Sequence, residues 1–525
     1  MEELLWQSDQ GDDTYENPVL FADYSDPDAI RVGDTYYMTA SSFNYTPGLP
    51  ILISRDLVNW ELVNYATGNI PYPMYQIPQH SKGIWAPAIR FHEGKFYIYY
   101  GMPDEGIFMV STEDPLGKWS KPQIVLDGKG LIDPCPFWDE NHHAYVIHGY
   151  AKSRIGFKSY LGIFEMSQDG THAISEDKIL YNGVETQPTI EGPKVYKRNG
   201  YYYIFAPAGG VVRGWQTVLR SQNIQGPFEE RIVMRQLDSL INGPHQGALV
   251  DTRNGEEWFL HFQDKGFYGR ITHLQPVVWK DDWPIIGINE GHNGHKNCGK
   301  PCLRHKKPNT GMTDEITYLH ASDNFAANKL GLQWQWMGNS SEDFYSLTEK
   351  ENTLRLYAKN VAKDEDVTLW RCPNVLTQKL LCPYFTAEVT IAVSALEEGE
   401  QAGLVMFGGQ YAGLNVSRVK NRLRIAFFES EGSGAYRKES VAILAELKEP
   451  KQQVRFMIKM KNNDNSPSFG AKYRIENGDY VDVVTNFMPA DDTWVGAKLG
   501  LFTTTLHHTE GRGYADFSGY QVSRI

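Results

Sequence analysis

Residues 34–41 read DTYYMTAS, and the same texture returns as GKFYIYYG at 94–101, HHAYVIHG at 142–149, GYYYIFAP at 200–207 and EEWFLHFQ at 256–263. Each stretch follows turn residues (VGD, HEG, DEN, RNG, RNG) and, before them, another apolar run. Tight turns rich in Gly, Asp or Asn between aromatic and β-branched runs are the chemistry of β-hairpins. Further short strands follow each hairpin, for example ILISRDLVNW ending at Trp60, GIFMVSTEDPLGKW ending at Trp119 and TVLRSQNIQGPF ending at Phe228. The unit recurs at roughly 50 to 60 residues, a spacing that suits four strands with long loops. No helical periodicity of comparable length interrupts it. The repeat predicts a five-bladed β-propeller over residues 1–290, with a β-sandwich of similar strand number as the alternative.

Composition agrees with an all-β chain. Of 525 residues, 13% are aromatic, with 30 Tyr and 13 Trp, alongside 48 Gly and 27 Pro. The formal net charge of −13 argues against a nucleic-acid partner, which needs a basic surface, and against an anionic membrane face. No apolar run approaches the roughly 18 residues of a membrane span. The start, MEELLWQSDQGDD, has neither a basic region nor an apolar core, so it is not an intact signal peptide, and a periplasmic or cytoplasmic location stays open. Five cysteines (Cys135, Cys298, Cys302, Cys372, Cys382) do not describe a disulfide scaffold and are expected to be reduced.

Aligning the blades on their hairpins brings Asp26, Trp85, Asp133 and Glu191 to one position upstream of the aromatic strand, with His245 a little further upstream in the fifth. A Pro lies close by each. In a propeller such positions converge on the central axis, so three carboxylates, a Trp and a His are expected to face one funnel. Carboxylates there are costly to bury unless paired or used. Asp23 and Asp28 flank Asp26, but only Asp26 shares the Asp-Pro pattern of Asp133. Opposed carboxylates of unequal pKa are the minimal machinery of glycoside hydrolysis, and a third can hold the acid protonated by like-charge repulsion. A Trp supplies a face for a sugar ring and an Arg can donate to its hydroxyls. The residues alone read as a carbohydrate-active propeller with an oligosaccharide substrate.

At these positions the chain resembles glycoside hydrolase family 43, the inverting β-D-xylosidases and α-L-arabinofuranosidases. The segments that carry the likeness are NPVLFADYSDPDAIRVGDTYYMTASSF, GIWAPAIRFHEGKFYIYY, GLIDPCPFWDE, TIEGPKVYKRNGYYYIFAPAGG, NGPHQGALVD and FYGRITHLQPVVW. The resemblance implies that Asp26 is the general base, Glu191 the general acid, and Asp133 the residue that orients Glu191 and tunes its pKa. It implies that Trp85, Phe43 and Arg270 line the sugar subsite with His245 beneath, a histidine that in some relatives helps hold calcium or a structural water. No cofactor is required on this reading, with a calcium ion beside His245 the one candidate; the oligomeric state is not addressed. Two alternatives are a non-catalytic carbohydrate-binding propeller and a retaining, fructosidase-like five-bladed hydrolase; the latter carries Asn-Asp-Pro where this chain has Ser-Asp-Pro.

Residues 291–314 are rich in Gly, Lys, Asn and Pro and read as a linker. His292, His295, Cys298, Cys302 and His305 look like zinc ligands, but their spacing fits no closed pair of Cys-x2-Cys, and a loop closing the fifth blade is the plainer reading. From 315 to 525 alternating strands such as FTAEVTIAV, AGLVMFGG and QVRFMIKM predict a two-sheet antiparallel sandwich. LGLQWQWMGN and LWRCPNVLTQK resemble the concanavalin-like domain attached to one branch of the family's xylosidases. That domain is expected to prop the propeller and wall its funnel into an exo-acting pocket, as against serving as a carbohydrate-binding module.

Overall fold

The computed structural model describes residues 4–289, 297–312, 316–359, 368–434, 437–449, 452–463, 466–505 and 511–525. Strand β1 (Thr14–Glu16) precedes five four-stranded antiparallel sheets, each built from one contiguous stretch of chain. Blade I is β2–β5 (Asp28–Val32, Thr35–Thr39, Gly48–Ser54, Glu61–Thr67) and blade II is β6–β9 (Pro87–His92, Lys95–Met102, Gly106–Thr112, Gln123–Asp127). Blade III is β10–β13 (Leu131–Trp138, Ala144–Tyr150, Tyr160–Met166, Lys178–Asn182) and blade IV is β14–β17 (Lys194–Arg198, Tyr201–Ala208, Trp215–Ser221, Glu229–Arg235). Blade V is β18–β21 (His245–Asp251, Glu257–Asp264, Arg270–Lys280, Trp283–Ile286). The chain is thus an all-β propeller of five blades followed by a sandwich, as the repeat predicts.

The quoted aromatic stretches form the second strand of each blade. Their entry turns explain why: Glu93–Gly94 and Asn199–Gly200 both have φ of +45° to +81°, the turn geometry that matches the twist of a hairpin. Trp60 and Trp119 are buried and donate their indole N–H groups to Leu57 O and Pro115 O, pinning the turn between the third and fourth strands. The cores between blades are aromatic and aliphatic, for instance Phe205 stacked on Phe259 between blades IV and V at 5.9 Å.

The ring closes non-covalently. Leu20 pairs with Thr272 of β20, and β1 pairs with β22 (Arg304–Lys306). Asn17 accepts from Leu274 N–H and donates to the carbonyls of Leu274 and Cys302. Gly299 bridges to Met234, and Lys300 to Ile288, so the described part of the 291–314 segment lies along blades IV and V. Cys298 and Cys302 are buried there, and burial pushes both thiols up to about 11, away from the thiolate that zinc requires. His292 and His295 lie outside the described residues. No disulfide joins the five cysteines.

The C-terminal domain is two seven-stranded antiparallel sheets. One runs in the order Gln335–Trp336, Leu376–Lys379, Lys498–Thr505, Glu400–Phe407, Ala412–Val419, Arg422–Glu431, Lys438–Glu446. The other runs Tyr345–Ser346, Leu354–Tyr357, Tyr514–Arg524, Phe385–Ala392, Gln453–Asn463, Ser466–Ile475, Val481–Val483. Residues 385–392 alternate strictly between buried and half-buried, the period-two pattern that packs one face of a sheet inward. The sandwich docks on blade I: Thr46 and Trp336 exchange two backbone hydrogen bonds, and Asn44 donates to Met337 O.

Candidate active site

Asp26 and Asp133 both adopt left-handed backbone, with φ of +55° and +56°. Asp tolerates this region better than most residues, and a side chain held there breaks the pleat and turns off the sheet. Asp133 lies where the β10–β11 register shifts, between Ile132 and Cys135; a second shift, between His245 and Gly247, follows His245. Irregular backbone at the mouth of the inner strands is what aims these groups at the axis instead of at a neighbouring blade.

Asp26 is buried and saturated with donors. Ser25 and Ser41 hydroxyls donate to Oδ2 at 2.8 and 2.6 Å, and Arg270 Nη1 donates to Oδ1 at 3.0 Å and to Ser25 Oγ at 2.9 Å. Asp133 is equally buried but has poorer company. Its Oδ2 accepts from Gly192 N–H at 2.9 Å, and burial, then the charges of Glu191 and Asp26, push its carboxyl up to about 8 against the opposing pull of Lys194. Glu191 is the half-exposed member, its side chain 29% accessible, and His245 Nε2 lies 3.3 Å from its Oε1 without hydrogen-bond geometry. The site therefore sets a buried aspartate held by three donors beside a second buried aspartate whose carboxyl is pushed up, with the half-exposed Glu191 next to it.

The structure brings all seven sequence candidates to this region. Phe43 exchanges backbone hydrogen bonds with Ile84, next to Trp85, and both rings are buried in one apolar cluster. Arg270 bonds Asp26 directly. Asp28, by contrast, is an inter-blade tie that accepts from Ile89 N–H and Arg90, and Asp23 turns away towards the sandwich.

Three residues at the site have no local signal that sequence reasoning used. Trp494 reaches over from the sandwich on a tight turn in which Asp492 and Val495 exchange backbone hydrogen bonds, and its ring meets Trp85 edge-on at 4.6 Å. Its φ of +66° is strained for an aromatic residue, and such strain is retained where surroundings impose it. Arg154 covers Trp85 at 5.4 Å, anchored by Asp104. Lys194 is fully buried beside Asp133 with no hydrogen-bond partner for Nζ. Its place three residues after Glu191, at the start of an inner strand, is the one hint the chain offers.

Calcium takes six to eight oxygens. The contacts of His245 are Glu191 Oε1 at 3.3 Å and the Phe262 ring at 5.3 Å, and among the described residues no three His, Cys, Asp or Glu side chains gather as a metal site.

A propeller whose axis opens on two buried aspartates and a half-exposed glutamate, roofed by tryptophans, defines a glycan-cleaving class of protein. The profile of Glycosyl hydrolases family 43 matches residues 15–284, and that of the beta xylosidase C-terminal concanavalin A-like domain matches 322–523. The chain belongs to glycosyl hydrolase family 43 and is a glycoside hydrolase. It is 33% identical to a beta-xylosidase of Formosa agariphila over 97% of this chain and 90% of that protein. It is 29% identical to a non-reducing end alpha-L-arabinofuranosidase of Bacteroides ovatus, over 75% and 73% of the two chains. A crystal structure of a family-43 protein from Bacillus licheniformis superposes with a TM-score of 0.80 at 25% identity, covering 98% of this chain and 100% of that one. Among the described residues no helix is long and apolar enough to cross a membrane.

Proposed function

We propose that this enzyme is an inverting, exo-acting pentosidase that releases terminal β-D-xylose or α-L-arabinofuranose from hemicellulose oligosaccharides. The observation that carries the reading is Trp494 seated against Trp85: a roof supplied by the second domain turns an axial funnel into a pocket for one terminal sugar. The relatives' names support a pentose. The net charge of −13 favours a neutral sugar over a nucleic acid.

In this mechanism Asp26, hydrogen-bonded by Arg270 and two hydroxyls, removes a proton from water as its oxygen attacks the anomeric carbon. Glu191 gives its proton to the departing glycosidic oxygen, so one C–O bond forms as the other breaks and the anomeric configuration inverts. Asp133 is a positioning residue: its bond from Gly192 N–H fixes the loop carrying Glu191. Trp85, Phe43 and Arg270 shape the sugar subsite, and His245 sits beneath Glu191. No step requires a metal. The test is hydrolysis of paired aryl β-xyloside and aryl α-arabinofuranoside with the product anomer followed by NMR: α-xylose as first product from the β-xyloside supports inversion, and β-xylose refutes it.

A further inference from the structure

We propose that the sandwich domain is part of the catalytic charge network, acting through Asp23, which serves as a positioning residue for Arg270. The inference rests on the reading of Asp26 as general base. Asp23 is buried where the two domains meet. Its Oδ1 accepts from Arg270 N–H at 2.9 Å, and its Oδ2 accepts from Gly496 N–H of the sandwich at 2.9 Å. Lys498 Nζ lies 3.9 Å from the same Oδ2, and Lys379 Nζ donates to the Asp23 carbonyl at 2.7 Å. One residue therefore binds the backbone of Arg270 on one side and three groups of the sandwich on the other. Arg270 then reaches Asp26 through Nη1.

The packing leaves little slack. A Cβ on Gly269, whose φ is +80°, would come within 2.4 Å of Asp23 Cγ, and one on Gly496 would come within 2.6 Å of Gly269 Cα. Backbone from the propeller and backbone from the sandwich thus close on the Asp23 carboxylate directly. Charge completes the argument. Asp23, Asp26, Asp264 and Arg270 lie on the propeller side, and a sandwich lysine is the cation nearest the far side of Asp23. Without it, Arg270 would be drawn more strongly towards Asp23 and would give Asp26 less of its charge. The lysines are unusual in their own right: burial and the charge of Lys498 bring Lys379 down to about 7, and burial lowers Lys498 as well. Such costly groups are retained where a buried carboxylate needs them.

The test is the pH profile of kcat/KM in the full-length enzyme on an aryl β-xyloside, for Lys498→Met and Lys379→Met. The acid limb reports the ionisation of the free enzyme's base. It is governed by Asp26 with its neighbours Arg270 and Asp133, and should move to higher pH by about half to one unit, a loss of roughly three- to tenfold at the acid end. Melting temperature is measured on the same samples. A lowered melting temperature with an unmoved acid limb would mean that the lysines only cement the domains, and would overturn the proposal. Where Lys498→Met does not fold, Lys379→Met carries the same measurement. Asp26→Asn is run alongside: a dead Asp26→Asn with an unmoved limb in the lysine variants overturns the relay alone. Surviving turnover in Asp26→Asn removes Asp26 as base, and the relay with it.

Discussion

Replacing Asp133 by Asn should make the protein more stable at neutral and alkaline pH while slowing it. The native carboxyl sits at about 8 against an ordinary 3.8, so the folded state holds its proton more tightly than the unfolded chain does. For a carboxyl shifted upward, the stabilisation is fully present below about pH 4 and is lost as pH rises towards 8. One proton difference costs about 1.4 kcal/mol per pH unit, so from about pH 5 to 7 the wild type forfeits about 3 kcal/mol that a neutral Asn does not. The left-handed backbone at 133 suits Asn as well as Asp, so the substitution adds little conformational strain. The assay is urea unfolding of wild type and variant at about pH 5, 6, 7 and 8, read as the difference between the two so that other titrating groups cancel. The variant should gain on the wild type steadily across this window. In the same preparations kcat should fall as Glu191 loses the carboxyl beside it. Parallel stability curves would refute the raised carboxyl at Asp133.

Glu191→Ala should harm substrates with poor leaving groups far more than activated aryl glycosides, since a good leaving group needs little protonation; equal losses, measured by initial rates on both, would remove it as the acid. Trp494→Ala should raise KM for an aryl xyloside by about fivefold with a smaller change in kcat, from the roughly 1 kcal/mol of an edge-on aromatic contact and the opened roof; an unchanged KM would detach the sandwich from the subsite. Prolonged treatment with EDTA should leave the aryl xylosidase rate intact, because among the described residues no cluster of three His, Cys, Asp or Glu side chains gathers at the site; loss that calcium restores would contradict this, and restoration by zinc alone would direct attention to the segment of His292 and His305.

The blades and their carboxylates are legible in the chain because both are local and repeated. A hairpin needs its turn residues at its own tip, as at Asn199–Gly200, and the Asp-Pro steps at 26 and 133 recur at one blade position. What is not legible is whatever depends on distant segments. Trp494 meets Trp85 across some four hundred residues of sequence, and nothing in the run DDTWVGAK distinguishes a pocket wall from a surface loop. Asp23 has the same difficulty in sharper form. In sequence it is one of three acids in a short run, and only the arrival of Gly496 and Lys498 separates it from Asp26 three residues later. The Asp133 carboxyl is likewise set by burial, a property of the assembled ring that no neighbour in sequence encodes.

The clasp between the two ends of the propeller bears on how the chain is made. Every blade is contiguous, so each can form as it leaves the ribosome, but the partners of residues 14–20 are Thr272, Leu274 and the strand at 304–306. At about 5 to 20 residues per second, blade I waits roughly a quarter of a minute to a minute for the segment that seals it. Until then residues 14–20 lack the partners that join the two ends of the ring, and their unpaired backbone is open to mispairing in the nascent chain.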